Sequence, residues 1–265
     1  MKIKILQDIK AYSFLIQQLT KVSLLAELKR SYLGWLWLVL LPLIAILTWL
    51  FMKGSGILEP GKTEVSYPVF VLLNTLFWTF FYDIYRRIAP LLLEQGRTLL
   101  MNEIPVSILI IKEVTVHFIR FIIPFIIIVA AILLFGTVLS WKGIFLPILL
   151  LPLLMLGLSI GFIGSLLQLL ILDLGKALDE GMKILLFLTP VIYASSSTSG
   201  ILQKVIAFNP LTYLIEGCRE LLTLGIFPTN PTYWICYGVI FLLFFILLQF
   251  YIAAAPKALE YVVNN

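Results

Sequence analysis

Cysteine and histidine are almost absent from this chain. Among 265 residues there are two cysteines, Cys218 and Cys236, and one histidine, His117. The two thiols have neither metal-ligand nor redox spacing, and they read as small buried apolar residues. Charge is scarce as well, at 12% of residues, with 14 acidic against 19 basic side chains. So little charge excludes an ordinary soluble domain. No paired carboxylates stand beside a histidine or in a DxD-like cluster, so a membrane glycosyltransferase or acyltransferase would lack its catalytic groups. The first 30 residues carry too many charges and polar breaks to hold the apolar core of a cleavable signal.

What the chain has instead is apolar length. Hydrophobic residues make up 61% of it, and the mean hydropathy is +1.06. Residues 31–52, SYLGWLWLVLLPLIAILTWLFM, run without a charge. Crossing a bilayer takes about 20 apolar helical residues, and within it every backbone amide must be satisfied inside the helix. Blocks of this kind predict an all-α integral membrane protein, a single domain over 1–265. Six spans are expected, near 33–52, 68–88, 112–135, 144–172, 181–197 and 232–254. Lys and Arg concentrate in the N-terminal segment, in 86–112, in 173–183 and at the C-terminus. The positive-inside rule then puts both termini in the cytoplasm. The pI of about 9.1 is read as this topology signal, not as a nucleic-acid site.

Three segments are not simple spans. Residues 1–30 carry Leu15, Leu19, Val22 and Ala26 at helical spacing, with lysines elsewhere on the wheel. That suits an amphipathic helix on the cytoplasmic membrane face, the alternative being a loose tail. Residues 89–106 mix leucines with Glu94, Gln95, Arg97, Asn102 and Glu103, as a short cytoplasmic helix that docks on something would. Residues 200–227 are apolar but broken at Asn209-Pro210. This pattern fits a re-entrant hairpin entering from the outer face before the last span, or a surface loop of two short helices.

One motif is refused. GILEPGKT at 56–63 matches the phosphate-binding loop pattern at every position. Its mechanism needs a strand before it and a helix after it, so that amides at the helix start face phosphate. Here it follows a span and faces outside, so any ATPase must be another chain.

The second span is the most aromatic. At 100° per residue, Asn74, Phe77, Trp78, Phe81, Tyr82 and Tyr85 fall within about 140° of one face. Such a face either binds sugar rings along a polymer path or packs against a neighbouring helix. Trp35 and Trp37 read as interfacial belt residues. Asp83 with Arg86 and Arg87, and Lys112 with Glu113, His117 and Arg120, read as cytoplasmic ion clusters, with no acid chain to make a proton relay. Gly157, Gly161, Gly164 and Ser165 form a small-residue face for close helix approach, inside a protomer or between two.

Four stretches, in order, resemble one family. LKRSYLGWLWLVLLPL at 28–43, LLLEQGRTLLMNEIP at 91–105, LDLGKALDEGMKILLFLTPVIYA at 172–194 and FNPLTYLIEGCREL at 208–221 are similar to stretches of the permease subunits of ABC exporters for O-antigen, capsular polysaccharide and teichoic acid. The basic cluster before Ser31 is thinner than in much of that family, because Glu27 leaves only Lys29 and Arg30.

The resemblance implies a homodimer in the bacterial plasma (inner) membrane, with two separate nucleotide-binding ATPase subunits beneath it. ATP and Mg would be bound by those partners; this chain would hold no cofactor and no metal and would not be an enzyme by itself. The cargo would be a lipid-linked polysaccharide moved outward, as in lipopolysaccharide or teichoic-acid biosynthesis, with membrane lipids as further partners and no nucleic acid. Residues 91–103 would be the coupling helix, with Glu94, Gln95, Arg97, Asn102 and Glu103 as ATPase contacts. Lys29, Arg30, Arg86 and Arg87 would lie at the cytoplasmic interface or gate. The glycan path would run along the face of span 2 with Trp35, Trp37, Phe187 and Tyr193. A small-lipid or drug exporter is the nearest alternative, and a stand-alone proton-coupled carrier is the alternative of another class.

Overall fold

The computed structural model describes residues 10–29, 36–56, 61–102, 104–134, 136–195 and 198–264. Trp35, Arg30, Glu103 and residues 57–60, half of the GILEPGKT segment, lie outside those residues.

Ten helices are described. They are α1 (Ser13–Lys29), α2 (Trp37–Gly54), α3 (Tyr67–Ile88), α4 (Leu91–Met101), α5 (Val106–Leu134), α6 (Leu146–Leu170), α7 (Leu172–Phe187), α8 (Gly200–Phe208), α9 (Pro210–Thr223) and α10 (Pro231–Asn264). A short 3-10 turn, Trp141–Phe145, leads into α6, with the Ser140 hydroxyl accepting from the Lys142 N–H at its start. No strand occurs among the described residues. Among the described residues four helical stretches are long and apolar enough to cross a membrane: Tyr67–Ile88, Val106–Leu134, Trp141–Leu170 and Pro231–Val262. The 18-residue α2 is apolar as well and ends at Lys53 and Gly54.

Helix α3 is the centre of the bundle. Val69, Phe77, Phe81, Ile84, Tyr85 and Ile88 have no exposed surface. They are covered by α6, α5, α2 and α9. The approach of α6 to α3 is set by two glycines. A Cβ at Gly157 would lie 2.4 Å from Ile84 Cγ2 and 2.7 Å from the Phe81 carbonyl oxygen, and one at Gly161 would lie 2.8 Å from Ile88 Cβ. The small-residue face therefore serves packing within the chain. On its other side α6 carries α10, where Phe162 stacks on Tyr251 at 4.7 Å.

Helix α1 lies along α5. Its buried edge runs through Ile16 and Thr20, beside the Leu15–Leu19 stripe, while Phe14 and Val22 project away from the protein. The segment 181–197 is continuous helix only as far as Phe187. The residue before a proline is pushed out of helical geometry, and Thr189-Pro190 ends the helix there. The break at Asn209-Pro210 divides α8 from α9, with Asn209 as N-cap accepting from the Leu211 N–H at 3.0 Å. Leu214, Ile215, Cys218 and Leu221 of α9 are buried, whereas Ile201 and Phe208 of α8 are exposed.

Candidate functional site

The broken backbone at 188–192 sits inside the protein, where each freed carbonyl needs a donor. Helix α3 supplies two of them. Asn74 Nδ2 donates to the carbonyls of Pro190 (3.3 Å) and Val191 (3.1 Å), and the Tyr67 hydroxyl donates to that of Ile192 (3.1 Å). Asn209 Nδ2 adds bonds to the Leu188 carbonyl (3.1 Å) and to Thr189 Oγ1 (2.8 Å). Asn74 Oδ1 in turn accepts from Arg219 Nη1 at 3.2 Å. Arg219 is buried over the Phe70 ring, 4.8 Å from its centroid, and its Nη2 lies 3.5 Å from Glu64 and from Glu216. The carboxylates of Glu64, Glu216 and Glu220 lie within 4.8 Å of one another around this guanidinium. Lys62 and Thr63, the described end of GILEPGKT, border this cluster. No strand precedes them among the described residues, so the setting a phosphate-binding loop requires is not met.

The aromatic face of α3 divides into an inner and an outer part. Asn74, Phe77, Phe81 and Tyr85 are fully buried inside the chain, and the Tyr85 hydroxyl donates to Asp179 of α7. Trp78 is nearly buried. It stacks on Tyr82 at 6.1 Å, and Tyr82 stacks on Tyr85 at 6.0 Å. Tyr82 is half-buried and has the Arg86 guanidinium 5.8 Å over its ring. Phe187 is exposed, and Tyr193 donates to its carbonyl at 2.8 Å. Trp37 is exposed at the start of α2. Sequence periodicity places the α3 aromatics on one side of a helix but says nothing about which neighbour covers them.

Helix α4 is short and docked by one side. Leu91, Leu92, Gly96 and Leu99 are buried. Gly96 faces Leu259 of α10 so closely that a Cβ would meet its Cδ2 at 2.2 Å. The Leu92 N–H donates to Ser165 Oγ of α6 at 3.3 Å, and that oxygen lies 2.9 Å from the Tyr251 hydroxyl. The opposite side presents Glu94, Arg97, Met101 and Asn102, all exposed, with Met101 at 79%. Gln95 points back to the bundle. Its Nε2 donates to Glu113 Oε1 and its Oε1 accepts from Lys112 Nζ, both at 3.3 Å. Glu113 also pairs with its neighbour Lys112 and, at 3.2 Å, with Arg87 Nη1. Arg86 is exposed beside this cluster, and Lys29 closes α1 with its side chain outside the described positions.

No protein-family model matches the chain. Two curated proteins do, both named O-antigen export system permease protein RfbA and both from Klebsiella pneumoniae. One is 24% identical over 229 residues, 85% of this chain and 86% of its own length. The other is 24% identical over 216 residues, 80% and 81% of the two chains. The chain is similar to O-antigen export permeases. The likeness extends over most of the chain and does not rest on one motif.

Sequence reasoning placed Arg219 in a motif without a role, and it missed Asp179 and Ser165–Tyr251 as partners. The available signal was a lone Arg in an apolar stretch, which has to be paired wherever it is buried.

Proposed function

We propose that this chain is the transmembrane subunit of an ATP-driven ABC exporter that moves a lipid-linked polysaccharide from the cytoplasm outward across the bacterial inner membrane. Two copies form the pathway, and two ATPase subunits bind ATP and Mg beneath them. The observation that carries the reading is α4: a short helix fixed to α6, α10 and α5 by its buried side, with a mixed charged and apolar side left exposed. That is what a rigid lever needs if a partner is to push on it. In this reading six segments cross the membrane, the 200–227 hairpin is re-entrant from the outer face, and both termini are cytoplasmic. The chain itself catalyses no reaction.

Glu94, Arg97 and Asn102 contact the ATPase, and Met101 fills an apolar pocket on it. Affinity purification of the chain from its native membrane brings down a cytosolic ATPase at equal stoichiometry. Arg97→Glu combined with Met101→Asp removes that ATPase and leaves the melting temperature of the permease within about 2 °C, because surface substitutions change stability by roughly 0.5 kcal/mol or less. A clean homomer under gentle detergent and crosslinking would exclude the exporter reading.

The glycan path, in the same reading, follows the aromatics that reach the surface of the chain: Tyr82, Phe187 and Tyr193; Trp37 of α2 instead lines a cavity on the opposite side of α3. Asn74, Phe77, Phe81 and Tyr85 support it from within by holding α6, α7 and the 190–192 backbone. Tyr82→Ala lowers polymer export roughly tenfold at unchanged protein level, one sugar-stacking contact being worth about 1–1.5 kcal/mol. Normal export in that variant would return Tyr82 to a packing role.

A further inference from the structure

On the side of α3 away from the aromatic face lies a cavity of about 210 Å³ between α2, α3 and α5. Its inner wall is apolar: Leu72, Leu76 and Phe80 from α3, Phe121, Pro124 and Ile128 from α5. Dry apolar cavities of about 150 Å³ already hold a benzene ring, so there is room here for a length of alkyl chain. Asp83, Arg86, Arg87 and Arg120 line both this cavity and a polar one at the same end of the bundle, so the two lie side by side across these four side chains. In the polar cavity four cations, Arg86, Arg87, Lys112 and Arg120, face three carboxylates, Asp83, Glu94 and Glu113, one positive charge in excess. Three of the cations are guanidinium groups, which grip phosphate oxygens in pairs.

Two polar groups along the first cavity have no protein partner. His117 lines the first cavity, buried at 3% exposure, and its Nε2 has no hydrogen bond. Thr75 Oγ1, on the apolar wall, is buried and unsatisfied too. Buried polar atoms are satisfied in more than nine cases in ten, and two exceptions lining one cavity point to a missing ligand.

We infer that this cavity holds one anionic glycerophospholipid per chain: its phosphate lies among Arg86, Arg120 and His117, an ester carbonyl accepts from Thr75, and one acyl chain fills the apolar wall between α3 and α5. Phosphate alone accounts for the cations and the alkyl chain alone for the wall. The polar donor set between them, at the level of an ester, distinguishes a glycerolipid from a polyprenyl phosphate. The inference requires only that the chain sits in a bilayer; it is independent of what is exported.

The test is native mass spectrometry of the full chain purified in mild detergent. It is incubated separately with phosphatidylglycerol, undecaprenyl phosphate and diacylglycerol. Phosphatidylglycerol is retained at one molecule per chain and diacylglycerol is not. Arg86→Gln, an exposed position that does not threaten folding, weakens retention about tenfold, the loss of one charge-assisted hydrogen bond. Thr79→Phe, which projects a ring into the cavity from an exposed position on α3, abolishes retention. Lys257→Gln, on the exposed side of α10, leaves it unchanged. Phosphatidylglycerol retention that survives both Arg86→Gln and Thr79→Phe would overturn the site. Undecaprenyl phosphate binding at least as tightly as phosphatidylglycerol would overturn the glycerolipid assignment.

Discussion

Gly157→Leu lowers the melting temperature of the permease by about 6–12 °C or more. Helix α6 meets α3 at a separation that only a hydrogen atom permits at this position. A Cβ would stand 2.4 Å from Ile84 Cγ2 and 2.7 Å from the carbonyl oxygen of Phe81, and the second of these is backbone that cannot rotate away. Within a bilayer the hydrophobic effect does not drive helices together; close packing does, so separating this pair removes the main attraction between them. Overpacking of a tight core costs about 1–3 kcal/mol, and a leucine forced against backbone belongs at or beyond the top of that range. For a chain of this size a loss of about 3 kcal/mol corresponds to roughly 6–12 °C of melting temperature. Fluorescence-detected gel filtration after a heating series reads the outcome as loss of the monodisperse peak. Gly181→Ala is the control. Gly181 lies in α7 with nothing within 4 Å of a built Cβ, so alanine there keeps or slightly raises stability, by about 0.5–1 kcal/mol. A Gly157→Leu protein that melts like wild type would mean that α3 and α6 are not packed as described.

The glycine face of α6 was legible because small residues at four-residue spacing have one physical use between membrane helices. The α4 connector was legible for a similar reason: too apolar for a solvated loop and too charged to span, it could only be a helix with one docked side. The stop at Asn209-Pro210 was legible from proline geometry alone. Other features depended on tertiary contacts that a local pattern does not carry. The wheel put Asn74, Phe77, Phe81 and Tyr85 on an aromatic face and left open whether that face meets a pathway or another helix. The structure places α6, α7 and the 190–192 backbone against them. Hydropathy read 181–197 as one apolar run because it averages over Thr189-Pro190, where the helix stops and side chains from α3 and the Asn209 cap take over its carbonyls. Arg219 was invisible as a hub because its partners come from three separate parts of the chain, Glu64, Asn74 and its own helix neighbour Glu216.

Glu113→Leu is expected to be nearly as damaging as Gly157→Leu, through charge and not through packing. Glu113 is buried with Lys112, and its carboxylate meets Lys112 Nζ, Arg87 Nη1 and Gln95 Nε2 together. Removing it leaves two cations facing each other in a poorly solvated site, where breaking a buried ion pair costs about 3–5 kcal/mol. The damage is not confined to the cluster. Gln95 belongs to α4, and its bonds to Glu113 and Lys112 fasten that helix to α5 beside the contacts already made by Leu92 and Gly96. In the function proposed above α4 is the lever, and a lever that is loose on one side transmits less, so on that reading export should fall further than the remaining folded fraction predicts. The Lys112→Met/Glu113→Leu double variant separates these effects. It removes charge and counter-charge together, and buried pairs replaced by apolar groups of similar size are often neutral in stability. Its melting temperature should return most of the way to wild type, while its coupling, measured as polysaccharide exported per ATP hydrolysed in reconstituted vesicles, stays low because Gln95 still lacks its two partners. A double variant no more stable than Glu113→Leu alone would assign the cost to lost shape in α5; one with wild-type coupling would show that α4 needs no tether to α5.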